Sequence, residues 1–259
     1  MSDANLLDVR GICKQFPGVR ALDGVDLRVR AGEVHAMLGE NGAGKSTLLK
    51  ILSGALRATR GEATFDGVTL EAKETPRDRQ RLGLVTIYQE FNLLPFMSIA
   101  ENLYLGQEPR RYGIIDWPAM HENARALLAS LGLNVDPRRD VRHLSVAHQQ
   151  MVEIGRAVAR SAKLIIMDEP TAALGPQETA QVGDLIRQLK REGIGIFLIS
   201  HDIHDVFDLA DRLAVMKNGR LVGTAKTTDV TQDEVLGMII LGRCPPGAIP
   251  GPGAMASAA

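Results

Sequence analysis

Gly39-Glu40-Asn41-Gly42-Ala43-Gly44-Lys45-Ser46-Thr47 is the stretch on which the reading of this sequence turns. It matches the phosphate-loop pattern, in which glycines let backbone N–H groups turn inward around phosphate at the start of a helix. Its surroundings match the pattern too. The apolar run Val34-His35-Ala36-Met37-Leu38 precedes it and reads as a buried strand, while Leu48, Leu49, Ile51 and Leu52 follow at helical spacing. A plain glycine-rich strand-to-helix turn would not need the lysine and hydroxyl. Lys45 would reach the β and γ phosphates of ATP, and the Ser46 hydroxyl would ligate magnesium. Two further apolar runs, Leu164-Ile165-Ile166-Met167 and Ile194-Gly195-Ile196-Phe197-Leu198-Ile199, read as strands with helical periodicity between them. The fold class is therefore α/β, a P-loop NTPase core with a parallel sheet.

Ligands of parallel sheets bind at the carboxyl ends of the strands, which singles out the residues that follow these runs. Asp168 and Glu169 end the second run as adjacent carboxylates. Asp168 is expected to hold magnesium, usually through water, and Glu169 to orient and polarise the attacking water as a general base. The bland alternative is a solvated acidic pair. His201 follows the third run, where an imidazole would meet the γ-phosphate and that water; a structural histidine is the competing reading, as it is for His204 against a metal site. Gln89 ends the run Leu84-Val85-Thr86-Ile87-Tyr88, so its amide is placed for the magnesium and the water, or is an ordinary strand-end polar group. Ser145 opens a helix over residues 146–160. As a cap it would leave free N–H groups and a positive dipole suited to a γ-phosphate presented by another subunit.

Composition sets the frame around these residues. A chain of 259 residues with 45% hydrophobic content buries one full core, and 30 basic residues nearly cancel 31 acidic ones. Nothing in that balance points to nucleic acid, and no basic patch, cysteine cluster or heptad run supports such a partner. Cys13 and Cys244 lie far apart, as suits a reducing compartment. The opening residues Met1-Ser2-Asp3-Ala4-Asn5 lack the features of a signal peptide, and no apolar run approaches the ~18 residues of a membrane span. Phe65-Asp66-Gly67-Val68 and the Asn218-Gly219 pair carry hairpin turns, which implies an antiparallel β subdomain beside the core. Strand signals stop over residues 90–160, read as a helical insertion. Thr231 and Glu234 form a capping box for a last helix. One domain is expected over residues 5–244, followed by a disordered Pro/Gly/Ala-rich tail over 245–259.

In this order (phosphate loop, Gln89, Leu144-Ser145-Val146-Ala147-His148-Gln149-Gln150, Asp168-Glu169, His201) the motifs resemble the ATP-binding cassette (ABC) ATPases over residues 6–241. The resemblance implies a head-to-tail dimer in which the second copy's Ser145 closes the nucleotide site. It also implies Phe16 as an adenine-stacking residue, for which core packing is the alternative. Gly39, Glu40, Asn41, Gly42, Ala43, Gly44, Lys45, Ser46 and Thr47 would hold the phosphates. Phe16-Pro17-Gly18-Val19-Arg20-Ala21-Leu22-Asp23, Tyr88-Gln89-Glu90-Phe91-Asn92-Leu93 and Gln149-Gln150-Met151-Val152-Glu153-Ile154 are similar to the ATPase subunits of bacterial monosaccharide importers, the ribose, xylose and fructose group. The segment from His201 to Arg212 looks most like the single-domain fructose branch. Implied partners are multi-spanning permease subunits and indirectly a periplasmic sugar-binding protein; the apolar stretch Phe91, Leu93, Leu94, Pro95 and Phe96 is a candidate lining of the permease docking groove, with internal packing of the insertion as the alternative. The implied location is the cytoplasmic face of the inner membrane. An ABC transporter for another substrate and a soluble ABC ATPase acting on ribosomes or nucleic acid are the competing readings. Two stretches depart from the general pattern: Val146-Ala147-His148 follows Ser145 where the family has Gly-Gly-Gln, and Gly175, followed by Pro176, stands where an aspartate is common, the pair being a plausible helix start.

Overall fold

A computed structural model describes residues 5–255; the first four residues, within the stretch judged to lack a signal peptide, and residues 256–259 of the tail lie outside them. The chain opens with two long strands, β1 (Asn5–Phe16) and β2 (Val19–Arg30), then enters the core through β3 (Val34–Leu38) and α1 (Lys45–Leu52). A hairpin of β4 (Arg60–Phe65) and β5 (Val68–Thr69) follows, then α2 (Pro76–Leu82) and β6 (Leu84–Ile87). The insertion comprises α3 (Ile99–Tyr104), the short β7 (Arg110–Arg111) and β8 (Ile114–Ile115), α4 (Trp117–Ser130) and α5 (Val146–Ala159). The chain then alternates β9 (Leu164–Asp168), α6 (Pro176–Arg191), β10 (Gly195–Ile199) and α7 (Ile203–Leu209). It closes with the hairpin β11 (Arg212–Lys217) and β12 (Arg220–Lys226), then α8 (Gln232–Leu241) and β13 (Ile249–Pro250).

A seven-stranded sheet in the order β13-β12-β11-β3-β10-β9-β6 forms the centre, with β11, β3, β10, β9 and β6 mutually parallel. β3, β9 and β10 are apolar on both faces because both faces are covered. On one side Ala36, Leu38, Ile165, Met167 and Leu198 pack with the insertion and α6. On the other, Met37, Ile166, Phe197 and Ile199 pack with α1 and the antiparallel sheet β2-β1-β4-β5. The two-residue period of a strand sends alternate side chains into the two cores.

The expected α/β core, antiparallel subdomain and helical insertion are all present, with three differences. The Asn218-Gly219 hairpin belongs to the edge of the central sheet, not to the antiparallel subdomain. The insertion carries a small antiparallel ribbon, Arg110 opposite Ile115 and Arg111 opposite Ile114, where only helices were expected. The third difference corrects the expected disorder of residues 245–255. Ile249 and Pro250 pair with Thr224 and Gly223 of β12, and the Gly251 N–H donates to Val222 O at 2.8 Å. Low side-chain bulk, read as an inability to fold, is what permits this contact: a Cβ on Gly251 would stand 2.4 Å from Leu221 O.

Candidate nucleotide site

β3 ends at Leu38, and the loop that follows curls back to start α1 at Lys45. The turn is made possible by Gly44, at φ +109°, where a Cβ would come within 2.8 Å of Ala21 O and 2.9 Å of the Leu22 side chain. Backbone strain of that kind costs about 1–3 kcal/mol for any other residue. The opening N–H groups of α1 have no acceptor within the helix, so the loop presents donors and a positive dipole end to an anion. Lys45 is buried and donates to the loop's own carbonyls, Gly39 O at 2.6 Å and Glu40 O at 3.1 Å. Burial lowers its pKa, opposed by the charges of Glu169 and Asp168. A buried ammonium held only by carbonyls is a site that a phosphate would relieve.

A cavity of about 490 Å³ brings together Asn41, Gly42, Gly44, Lys45, Ser46 and Thr47 of the loop with Gln89, Asp168 and Glu169. Residues as far apart in sequence as Asn41 and Glu169 thus meet over the carboxyl ends of β3, β6 and β9, as the ligand rule for parallel sheets requires. Burial, with the neighbouring Glu169 charge, raises the Asp168 pKa against the opposing pull of Lys45 and Lys50. Ser46 hydroxyl, Gln89 amide and Asp168 carboxylate are oxygen donors in one cavity, a set that suits a hard divalent cation completed by phosphate and water.

Glu169 lies at the junction of three clefts. Besides the phosphate cavity it lines one of about 450 Å³ with His201, Asp202 and Asp205, and one of about 390 Å³ with Gln89, Val146 and Gln150. Its backbone is left-handed, φ +51°, and its N–H donates to Ile199 O at 2.8 Å. The carboxylate meets His201 Nδ1 at 2.9 Å while the imidazole is otherwise exposed. The acid is therefore held by a histidine at one face and open to the phosphate cavity at the other. That is the geometry of a group able to accept a proton from a water.

Not every expected residue lines the cavity. Ala43 is buried beneath the loop, where its carbonyl accepts from Gly219 N at 2.9 Å, and Gly39 and Glu40 act through their carbonyls on Lys45. Phe16 ends β1 opposite Val19 with Lys14 Nζ 5.0 Å over its ring; exposed, it is not packed in the core and not in the phosphate cavity. Ser145 is exposed at the start of α5, its Oγ accepting from His148 N at 3.3 Å, and lines none of the clefts described. His204 forms no metal cluster with other His, Cys, Asp or Glu among the described residues. Five wall residues were missed: Val19, Arg20 and Ala21 of β2, and Asn218 with Gly219 of the β11–β12 turn. The Asn-Gly pair was legible as a turn; only the fold tells which site the turn completes.

A strand-loop-helix phosphate cradle facing a strand-end acidic pair defines a P-loop nucleotide-binding protein. The family model of the ABC transporter matches residues 22–172, more than half the chain, and the chain belongs to that family, whose ATP-binding cassettes hydrolyse ATP. It is 52% identical over 235 residues to a ribose import ATP-binding protein (RbsA 1) of Rubrobacter xylanophilus, covering 91% of this chain and 47% of that one. A putative ribose/galactose/methyl galactoside import ATP-binding protein of Rhizobium etli is 45% identical, with 91% and 46% covered. The chain thus spans about half the length of the curated relatives it matches. Among solved structures, the ADP conformation of MJ1267, an ATP-binding cassette of an ABC transporter, superposes with a TM-score of 0.81 at 29% identity, covering 93% of this chain and all of that one. CbiO1 of Clostridium perfringens, part of the ABC transporter complex cbiONQ, gives 0.79 at 25% identity, covering 93% and 98%.

Proposed function

We propose that this chain is the ATP-hydrolysing subunit of a monosaccharide importer. The observation that carries the reading is the 52% identity, across nine-tenths of the chain, to a ribose import ATP-binding protein. The cavity supplies the chemistry: the loop N–H groups and Lys45 bind the triphosphate, Glu169 takes a proton from the attacking water, and His201 orients Glu169. Ser46, Gln89 and Asp168 would hold magnesium, which neutralises phosphate charge when bound. Phe16, paired directly with Val19 of the cavity wall, is the candidate to stack on adenine.

Ser145 belongs to a site made between two cassettes. Its exposed helix start, outside its own chain's cavity, is free to reach the γ-phosphate held by a second copy. Phe91, Leu94 and Phe96 are exposed just past Gln89 and fit permease subunits at the inner face of the membrane, with a periplasmic binding protein delivering sugar. None of the described helices is long and apolar enough to cross a membrane itself. The relatives point to ribose or galactose; the His201–Arg212 resemblance favours a fructose-like sugar, and the two are separated by experiment. The chain and its permease are reconstituted in vesicles, and ATPase activity is followed with binding proteins loaded with fructose, ribose, galactose or xylose. Stimulation by one of these sugars is expected. Equal hydrolysis with and without every one of them would end the importer reading.

A further inference from the structure

Among the described residues, three two-residue hairpin turns have positive φ at both central residues. Two use the small polar residues such turns favour, Asp66-Gly67 (φ +49° and +77°) and Asn218-Gly219 (+49° and +76°). The third, between β7 and β8, places Tyr112 at +54° before Gly113 at +84°. An aromatic residue in the left-handed region is disfavoured, and this one gains almost no burial in return, since Tyr112 is 92% exposed. Ile114 and Trp117 beside it are 75% and 46% exposed. The ribbon is held firmly all the same: Arg111 pairs with Ile114, Arg110 with Ile115, and Asp116 N donates to Pro109 O at 2.8 Å. A strained turn that holds out aromatic and aliphatic side chains breaks a local rule in the way functional sites do.

The charges around the tip indicate what it meets. The Arg111 guanidinium lies 5.6 Å from the Tyr112 ring centroid, and Arg110 only 3.6 Å from Glu108. Of the nearby acids, Glu108 is shared between Gly106 N and Arg110, and Asp116 caps α4 through Ala119 N. Two cations, a tyrosine, a tryptophan and an isoleucine on one small protrusion are the residue types that settle at a lipid headgroup boundary, with anionic headgroups as the complement. We propose that the β7–β8 ribbon and the start of α4 dock on an anionic lipid surface. The proposal rests on the cassette working beside a membrane, yet its test needs neither permease nor sugar.

Trp117 is the chain's single tryptophan, so its emission reports from the patch itself. The full chain is titrated with vesicles of phosphatidylglycerol and phosphatidylcholine, and with pure phosphatidylcholine as control, with cosedimentation in parallel. A blue shift, quenching by brominated lipid and cosedimentation are expected with the anionic vesicles only, weakening as salt rises. Arg110→Gln with Arg111→Gln should weaken partitioning roughly 25-fold, at about fivefold per basic side chain near an anionic surface. Tyr112→Ser with Ile114→Ser should abolish the blue shift. No response to anionic vesicles, an equal response to neutral ones, or binding undiminished in both variants would overturn the proposal. Failure of sugar stimulation in the reconstituted importer would leave vesicle binding unchanged, so the two readings fail separately.

Discussion

Glu153 is a place where one polar substitution outside the nucleotide cavity should cost several kcal/mol. It lies on α5, only 2% exposed, and its Oε1 accepts from Asn92 N at 2.7 Å and from Arg156 Nη2 at 3.1 Å. Arg156 Nη1 in turn donates to Asn92 O at 2.9 Å. Both backbone polar groups of Asn92, three residues beyond Gln89, are thus gripped by one acid-base pair on the helix that Ser145 starts. Burial pushes the Glu153 pKa up and the Arg156 pKa down, so each charge depends on the other. Glu153→Ala leaves the Asn92 N–H without its acceptor, a bond to a charged partner worth about 1.5–3 kcal/mol. It also strands the Arg156 guanidinium, and breaking one side of a buried pair costs about 3–5 kcal/mol. The two effects overlap, so the expected loss is about 3–5 kcal/mol in urea unfolding followed by circular dichroism and Trp117 emission. Glu153→Gln keeps an acceptor at the same place and should lose about 1–3 kcal/mol. Glu153→Met with Arg156→Met should recover stability relative to Glu153→Ala, because no lone charge remains. A loss below about 1 kcal/mol for Glu153→Ala, at an unchanged urea slope, would refute the clamp.

Two further predictions concern the cavity. Glu169→Gln should leave ATP affinity within a few fold while slowing turnover about 10²–10⁴-fold, measured by phosphate release; undiminished hydrolysis would remove Glu169 from its role. Asp168 binds its proton more tightly in the folded chain, because burial and the Glu169 charge raise its pKa. Stability in the absence of nucleotide and metal should therefore fall as pH rises from the ordinary carboxylate range through the elevated value, and Asp168→Asn should remove that slope in thermal unfolding across the same window.

The strands that were legible are those buried on both faces, Val34–Leu38 and Leu164–Asp168, whose apolar runs carry no ambiguity of face. β1 and β2 escaped because their alternation is broken: the pairing slips between Val9 and Ile12 and again around Lys14, and each slip exchanges the inward and outward residues. The ribbon at Arg110–Arg111 is too short for any period to appear. At the site, the placement of the loop, Gln89, Asp168 and Glu169 on one cavity, and of His201 beside Glu169 in the adjoining cleft, could be read because each follows an apolar run at a strand's carboxyl end. Val19, Arg20 and Ala21 could not, since they wall the cavity from a strand of the other sheet. The tail was misjudged on composition, which measures side-chain burial and is blind to glycine backbone packing closely against a neighbour.

The phosphate loop is buttressed from a great distance along the chain. Gly219 N–H donates to Ala43 O, and Gly219 O accepts from Asp23 N, so residues 23, 43 and 219 share one chain of backbone bonds. A polypeptide leaving the ribosome amino end first has made its nucleotide loop well before the turn that braces it, which emerges only once residue 219 is out. Nascent chains arrested before residue 219 has cleared the exit tunnel should hold nucleotide weakly, and those arrested after it tightly. Competence to bind ATP would thus be acquired abruptly, when the brace arrives and not when the loop itself is made.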